Sequence, residues 1–131
     1  YSQYEAGEAP MMVSYSTDTA AGIYYAGSDH SRILTPNGQA YQQIEAAGIV
    51  AGTDMPELAH LFLNYLLSEE VQSLIPTTNW MFPVNAETPL PDFFAQHAVI
   101  PENPVRLDGR LIEENEQRWL REWARLITGQ R

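Results

Sequence analysis

The spacing of apolar positions changes along the chain, and each change marks an element. Met11-Met12-Val13-Ser14-Tyr15-Ser16, preceded by Gly7 and Pro10, is a short apolar run with the length of a buried strand. Asp18 to Ala26 then predicts a helix with Thr17 or Asp18 as its cap and Gly27 as its stop. Ser28 to Gly38 is polar and closes on the turn Pro36-Asn37-Gly38, after which Tyr41 to Ile49 reads as a second strand. Thr53-Asp54-Met55-Pro56-Glu57 is the strongest local signal: a capping residue, a proline near the first helical position and an acid in the first turn. Leu58, Leu61, Phe62, Tyr65 and Leu66 follow at spacings of three and four, so this helix has one apolar face. A short helix from Glu69 to Leu74, capped by Ser68, is expected to stop ahead of Pro76.

Pro76, Pro83, Pro89, Pro91, Pro101 and Pro104 exclude long regular elements from the next stretch, apart from a turn or two around Asp92 to His97. That region is expected to wrap rather than stack. Leu111, Ile112, Trp119, Leu120, Trp123, Leu126 and Ile127 recur among charged residues and predict a terminal amphipathic helix over Leu111 to Thr128, with Gly129 as its stop. No repeat or low-complexity tract is present. Periodicity alone gives an α/β chain.

The chain has 131 residues, 44% of them hydrophobic, which suits one domain with a core. Its formal charge of −10, from 17 acidic against 7 basic residues, argues against a nucleic-acid partner, because neutralising phosphates takes clustered cations. An acidic surface instead suits solubility and tolerates cationic small molecules. The absence of cysteine excludes a disulfide framework and thiol chemistry. No apolar run approaches the roughly 20 residues that span a bilayer; the densest, Leu58 to Leu67, is interrupted by His60 and Asn64. The opening, Tyr1-Ser2-Gln3-Tyr4-Glu5-Ala6-Gly7-Glu8, has no initiating Met, basic leader or apolar signal core. The chain is therefore expected to be a piece of a longer protein whose upstream sequence, export signal included, lies elsewhere.

His30, His60 and His97 are widely separated and lack metal-site spacing, so no metal is expected. Gly7, Gly22 and Gly27 are isolated rather than gathered in a phosphate loop, and no serine sits between glycines as in a nucleophile elbow. Neither a cofactor nor catalysis has a residue pattern in its favour.

Four phrases narrow the reading further: Gly7-Glu8-Ala9-Pro10-Met11-Met12-Val13-Ser14-Tyr15-Ser16-Thr17, Pro56-Glu57-Leu58-Ala59, Ile75-Pro76-Thr77-Thr78-Asn79-Trp80-Met81-Phe82-Pro83-Val84 and Trp119-Leu120-Arg121-Glu122-Trp123. Together they resemble the C-terminal part of the periplasmic thiamine-binding proteins of ABC importers, over nearly the whole chain. The third phrase is the most specific, whereas many type II periplasmic binding proteins carry a helix like the second. The resemblance implies an α/β fold, the C-terminal portion of a two-lobe sandwich that is incomplete in this chain. Residues 1–40 are then the end of one lobe and the hinge, 41–100 belong to the other lobe, and 101–131 hold the terminal helix. It also implies a non-enzymatic, periplasmic or extracytoplasmic protein with a small-molecule ligand and an ABC permease as partners. A chain lacking the early strands of such a lobe is expected to fold by oligomerising, by strand exchange or with a partner that supplies the missing part.

Thiamine joins a cationic thiazolium to an aminopyrimidine, and its site needs aromatic faces and acids. The resemblance places ligand aromatics at Tyr15 and Trp80. Tyr15 otherwise reads as a strand aromatic filling a core; Trp80, in an irregular proline-bounded segment, has less reason to be one. The family has a further tyrosine six residues after the first; here that position is Ala21, and Tyr24 or Tyr25, about one helical turn on, is the alternative source of the ring. Thr17, Asp18 and Asn79 flank these aromatics and either hydrogen-bond the ligand or serve as helix cap and turn residues. Trp119 and Trp123, four apart, read as a packed helix face. Two rivals remain: the same scaffold with iron, a polyamine, a phosphonate or a sugar as ligand, and a sensor domain built on the same lobes. Against iron, the adjacent rings of Tyr24 and Tyr25 point different ways on a helix.

Overall fold

A computed structural model describes residues 1–129. Seven α-helical segments follow one another: α1 Ser2–Glu5, α2 Asp18–Ala26, α3 Pro56–Leu66, α4 Glu69–Gln72, α5 Ile75–Thr78, α6 Asp92–His97 and α7 Gly109–Thr128. A 3-10 turn spans Pro36–Gly38.

Helices lie close to where local chemistry puts them. Gly27 and Gly129 end α2 and α7 in the left-handed region (φ 61° and 65°), which costs a residue without Cβ nothing. Ser68 caps α4, its Oγ accepting from the Val71 N–H at 3.4 Å. Four boundaries differ from expectation, one being the start of α7 at Gly109, capped by Asp108, two residues ahead of Leu111. The N-cap before Pro56 is Met55, and Thr53 instead accepts a 3.3 Å bond from the Met55 N–H. The α4 turn ends at Gln72 rather than Leu74. Pro76 then sits within the first turn of α5, where its missing N–H is not needed.

Neither expected strand forms. Among residues 1–129 there is no strand, and the single trace of pairing is a parallel bridge between Tyr41 and Val105. There Gln42 N–H donates to the Val105 carbonyl at 2.9 Å and Val105 N–H to the Ala40 carbonyl at 2.8 Å. A strand is completed by a ladder of a neighbour's backbone groups, and among the described residues, 11–16 join no such ladder. Val13 is accordingly 93% exposed. The α/β expectation is met in its helices only.

Packing concentrates in one place. Helix α2 lies on α6, and Ala20 and Phe94 between them are fully buried. The Phe82 ring, from the proline-rich return, meets Phe94 edge-on at 5.1 Å. Val99 N–H donates to the Ser16 carbonyl at 2.9 Å, tying the exit of α6 to the entry of α2. The return is strapped down by buried Gln72, whose Nε2 donates to the Leu66 carbonyl at 2.7 Å while its Oε1 accepts from the Val84 N–H at 2.8 Å. Each such bond contributes about 0.5–1.5 kcal/mol net, and together they hold the residues just after Trp80 against the α3–α4 corner.

Elsewhere the apolar faces stay open. No residue of α3 or α7 is buried, and Leu58, Leu61, Phe62, Leu120, Trp123 and Leu126 are all exposed. The packed face expected for Trp119 and Trp123 is thus left open among the described residues. Accessible surface totals 10677 Å² for 14.8 kDa, against about 7,000 Å² for a compact monomer of that mass.

Candidate functional site

The proline-bounded segment delivers Trp80 onto α2. Trp80 follows the C-cap residue of α5, Asn79, and takes a left-handed backbone (φ 55°) that costs a bulky residue of the order of 1–3 kcal/mol. With the Gln72 strap after it and α5 before it, its ring is held among those of Tyr24, Tyr25 and Phe93. Centroid separations are 5.5 Å to Tyr24, 5.3 Å to Tyr25 and 6.4 Å to Phe93; Tyr24 lies 5.3 Å from Phe93. Trp80 and Phe93 are half-buried, whereas Tyr24 and Tyr25 are exposed. Such a cluster offers ring faces to a cation at the protein surface.

One helical turn back lies a recess of about 200 Å³, lined by Asp18, Ala21, Gly22 and Tyr25 together with Tyr1 and Ala26. Tyr25 belongs to both recess and cluster. Asp18 is half-buried; burial pushes its carboxyl above the ordinary range, opposed by a backbone hydrogen bond from Tyr15. Its Oδ2 also accepts from Ser14 Oγ. A separate hollow of about 300 Å³ lies between Tyr4 and Glu5 on one side and Ser28, His30 and Ser31 on the other, with the Tyr4 hydroxyl donating to Ser31 Oγ at 3.2 Å.

The residues expected in the site are therefore divided. Trp80 and Tyr24 come together, Asp18 lines the adjoining recess, and Asn79 is exposed next to Trp80 in sequence. Thr17 is buried as the N-cap of α2, although its side chain makes no capping bond. Tyr15 is 66% exposed and, among the described residues, its ring joins none of the aromatic pairs. Phe93 escaped sequence reasoning. Its only signal is the Phe93-Phe94 doublet in a short helix, where adjacent side chains point about 100° apart and one ring can be buried while the other faces a neighbour.

The chain is 31% identical over 128 residues to the thiamine-binding periplasmic protein of Salmonella typhimurium, with 98% of this chain and 38% of that protein covered. Identity to the thiamine-binding periplasmic protein of Escherichia coli is the same, over the same shares. The Brucella abortus protein of that name is 36% identical over 126 residues, covering 94% of this chain and 37% of its own length. The chain thus spans under two fifths of the length of these curated relatives. No protein-family model matches it. No solved structure matches it either.

Proposed function

We propose that this chain, which belongs to the family of the thiamine-binding periplasmic proteins, is part of a periplasmic binding protein, not an enzyme, that holds thiamine or a related cationic heterocycle and hands it to an ABC permease. The observation that carries the reading is the four-ring cluster of Tyr24, Tyr25, Trp80 and Phe93, set beside an acid, in a chain alike to such proteins over nearly all its length. The thiazolium cation lies against the ring faces and Asp18 complements its charge; Tyr15, Thr17 and Asn79 contribute from the rim.

A titration of the full-length protein with thiamine, followed by tryptophan fluorescence, tests this. Saturable quenching is expected at neutral pH, and a folded protein with no response sinks the ligand assignment. Because the raised Asp18 carboxyl takes up its proton at a higher pH than an ordinary carboxylate (about 3.9), affinity for the cation falls correspondingly early as pH is lowered. The sign for stability is opposite: a folded-state carboxyl pKa raised by burial makes protonation favour the native state, so this group strengthens the free protein as pH falls through that range. Weaker binding there is therefore not a symptom of Asp18-driven unfolding, and Asp18→Asn is expected to flatten the profile.

The architecture belongs to the same proposal. Residues 1–40 form the end of one lobe and the hinge, 41–100 part of the other lobe and 101–131 the terminal helix, as the C-terminal portion of a two-lobe α/β protein. The apolar faces of α3 and α7 and the unpaired run around Val13 are then covered by further polypeptide, from a longer protein or from another copy. Each buried Leu or Phe side chain stabilises by about 1.5–3 kcal/mol, so leaving these faces open is costly. In sedimentation velocity the isolated chain is expected to run as an expanded or self-associating species. A compact monomer that unfolds cooperatively would count against this architecture.

A further inference from the structure

Pro36 to Gln39 form a reverse turn of the type I′ class. Asn37 (φ 56°, ψ 27°) and Gly38 (φ 70°) are both left-handed, and the Gln39 N–H donates to the Pro36 carbonyl at 3.0 Å. Asparagine followed by glycine takes this geometry at the least steric cost. Position 38 is closed to a side chain for a second reason: an added Cβ would meet Asn103 Nδ2 and Glu102 Cβ at 3.2 Å. The turn therefore selects an Asn-Gly pair on conformational grounds.

The same pair is chemically labile. Asn37 is exposed, and Gly38 has no Cβ to hinder approach of its amide nitrogen to the Asn37 side chain. Once that nitrogen loses its proton to solvent it can attack Asn37 Cγ. The new N–Cγ bond forms as the Cγ–Nδ2 bond breaks, and Nδ2 leaves as ammonia after taking a proton from water. Water then opens the five-membered imide. Opening at Cγ gives aspartate; opening at the main-chain carbonyl carbon gives isoaspartate, in which the backbone runs through Cβ. Both products put a carboxylate where a neutral amide stood.

Attack requires the peptide plane between residues 37 and 38 to rotate, and the fold holds that plane at both edges. Its N–H, the nucleophile itself, donates to the Thr35 carbonyl at 2.8 Å. Its carbonyl, that of Asn37, accepts from Asn103 Nδ2 at 3.3 Å. Asn103 also donates its backbone N–H to the Gly38 carbonyl at 2.9 Å, next to the pairing of Ala40 and Gln42 with Val105. We propose that Asn37 is a site of spontaneous deamidation gated by Asn103, so that conversion proceeds only when this clasp opens. Isoaspartate lengthens the backbone by one carbon ahead of Gly38. That carries the Gly38 carbonyl off the Asn103 N–H and loosens the pairing with Val105.

Timed incubation of the full-length protein at neutral pH, followed by peptide mass mapping, tests this. Asn37 is expected to convert ahead of Asn64, Asn79, Asn85, Asn103 and Asn115, each of which precedes a residue with a side chain. It should do so at least about tenfold more slowly in the folded protein than in concentrated urea. Asn103→Ala removes the side-chain bond and is expected to speed conversion of the folded protein about two- to tenfold, leaving the rate in urea unchanged. Asn103→Asp, which keeps the shape and loses the donor, should accelerate it likewise and decides the matter should the alanine variant not fold. Asp108-Gly109 can pass through the same imide, but isomerisation of an aspartate leaves the mass unchanged, so the mass gain reports on the asparagines. In the converted protein, amide hydrogen exchange at Gln42 and Val105 should quicken. Another of these asparagines converting first overturns the site. Equal rates in the folded protein and in urea, or a folded-state rate that neither Asn103 variant changes, overturn the gate.

Discussion

Phe94→Ala is expected to unfold the best-packed part of the described residues. Phe94 is fully buried between α2 and α6 and meets Phe82 edge-on at 5.1 Å. Truncating a buried phenylalanine costs about 3–5 kcal/mol, transfer and cavity terms together. Whole domains have only about 5–15 kcal/mol of stability, and with Ala20, Pro76 and Phe94 as the fully buried apolar side chains among the described residues there is little else to lose. The near-ultraviolet circular dichroism should collapse and tryptophan emission shift to the red, since the α2–α6 contact also orders the rings around Trp80. Gln117→Ala, at an exposed polar residue of α7, is the control and should move stability by no more than about 0.5 kcal/mol. A Phe94→Ala protein that melts like the parent would show that the stability of the chain lies outside this contact.

Trp80→Ala should cost the most ligand affinity. A cation–π contact at an exposed site is worth about 0.5–1 kcal/mol, which corresponds to roughly a two- to fivefold loss for thiamine. Trp80→Phe retains a ring and should fall between the two. Backbone geometry separates the ring's contribution from that of the fold. Trp80 sits at φ 55°, a conformation that glycine adopts freely and alanine does not. Trp80→Gly should therefore bind as poorly as Trp80→Ala yet melt at a higher temperature. If both variants bind thiamine like the parent, the cluster is structural; if the glycine variant melts lower, the strain at position 80 is not relieved by removing Cβ.

The two predictions bear on one piece of architecture. Phe93 and Phe94 are neighbours in α6, one touching Tyr24 and the other filling the contact with Phe82. The buried ring positions the exposed platform, so stability and binding are expected to be coupled at α6. Gln72 extends the coupling to the α3–α4 corner through its bonds to Leu66 and Val84.

Much of this was legible in the residues because it is local. A helix closes its hydrogen bonds within four residues, so the Asp18–Ala26 stop at Gly27, the Pro56 start, the Ser68 cap and the Gly129 stop could be read from neighbouring side chains. The family likeness was legible too, because it rests on phrases such as Ile75 to Val84 that need no coordinates. Strands at 11–16 and 41–49 were not decidable in that way. A strand is defined by the partner that accepts and donates its backbone bonds, and no property of Met11 to Ser16 reveals whether that partner is within reach. Assembly of the site was likewise a tertiary decision. Trp80 reaches Tyr24, Tyr25 and Phe93 because a left-handed residue, a buried glutamine and a proline-rich return bring segments more than fifty residues apart onto one helix face, while Tyr15, nine residues from Tyr24, stays outside the cluster. The sequence by itself determined the longer helices, the acidic charge and the family likeness; only tertiary structure decided which rings meet, because ring contact depends on the path between elements rather than on the residues within them.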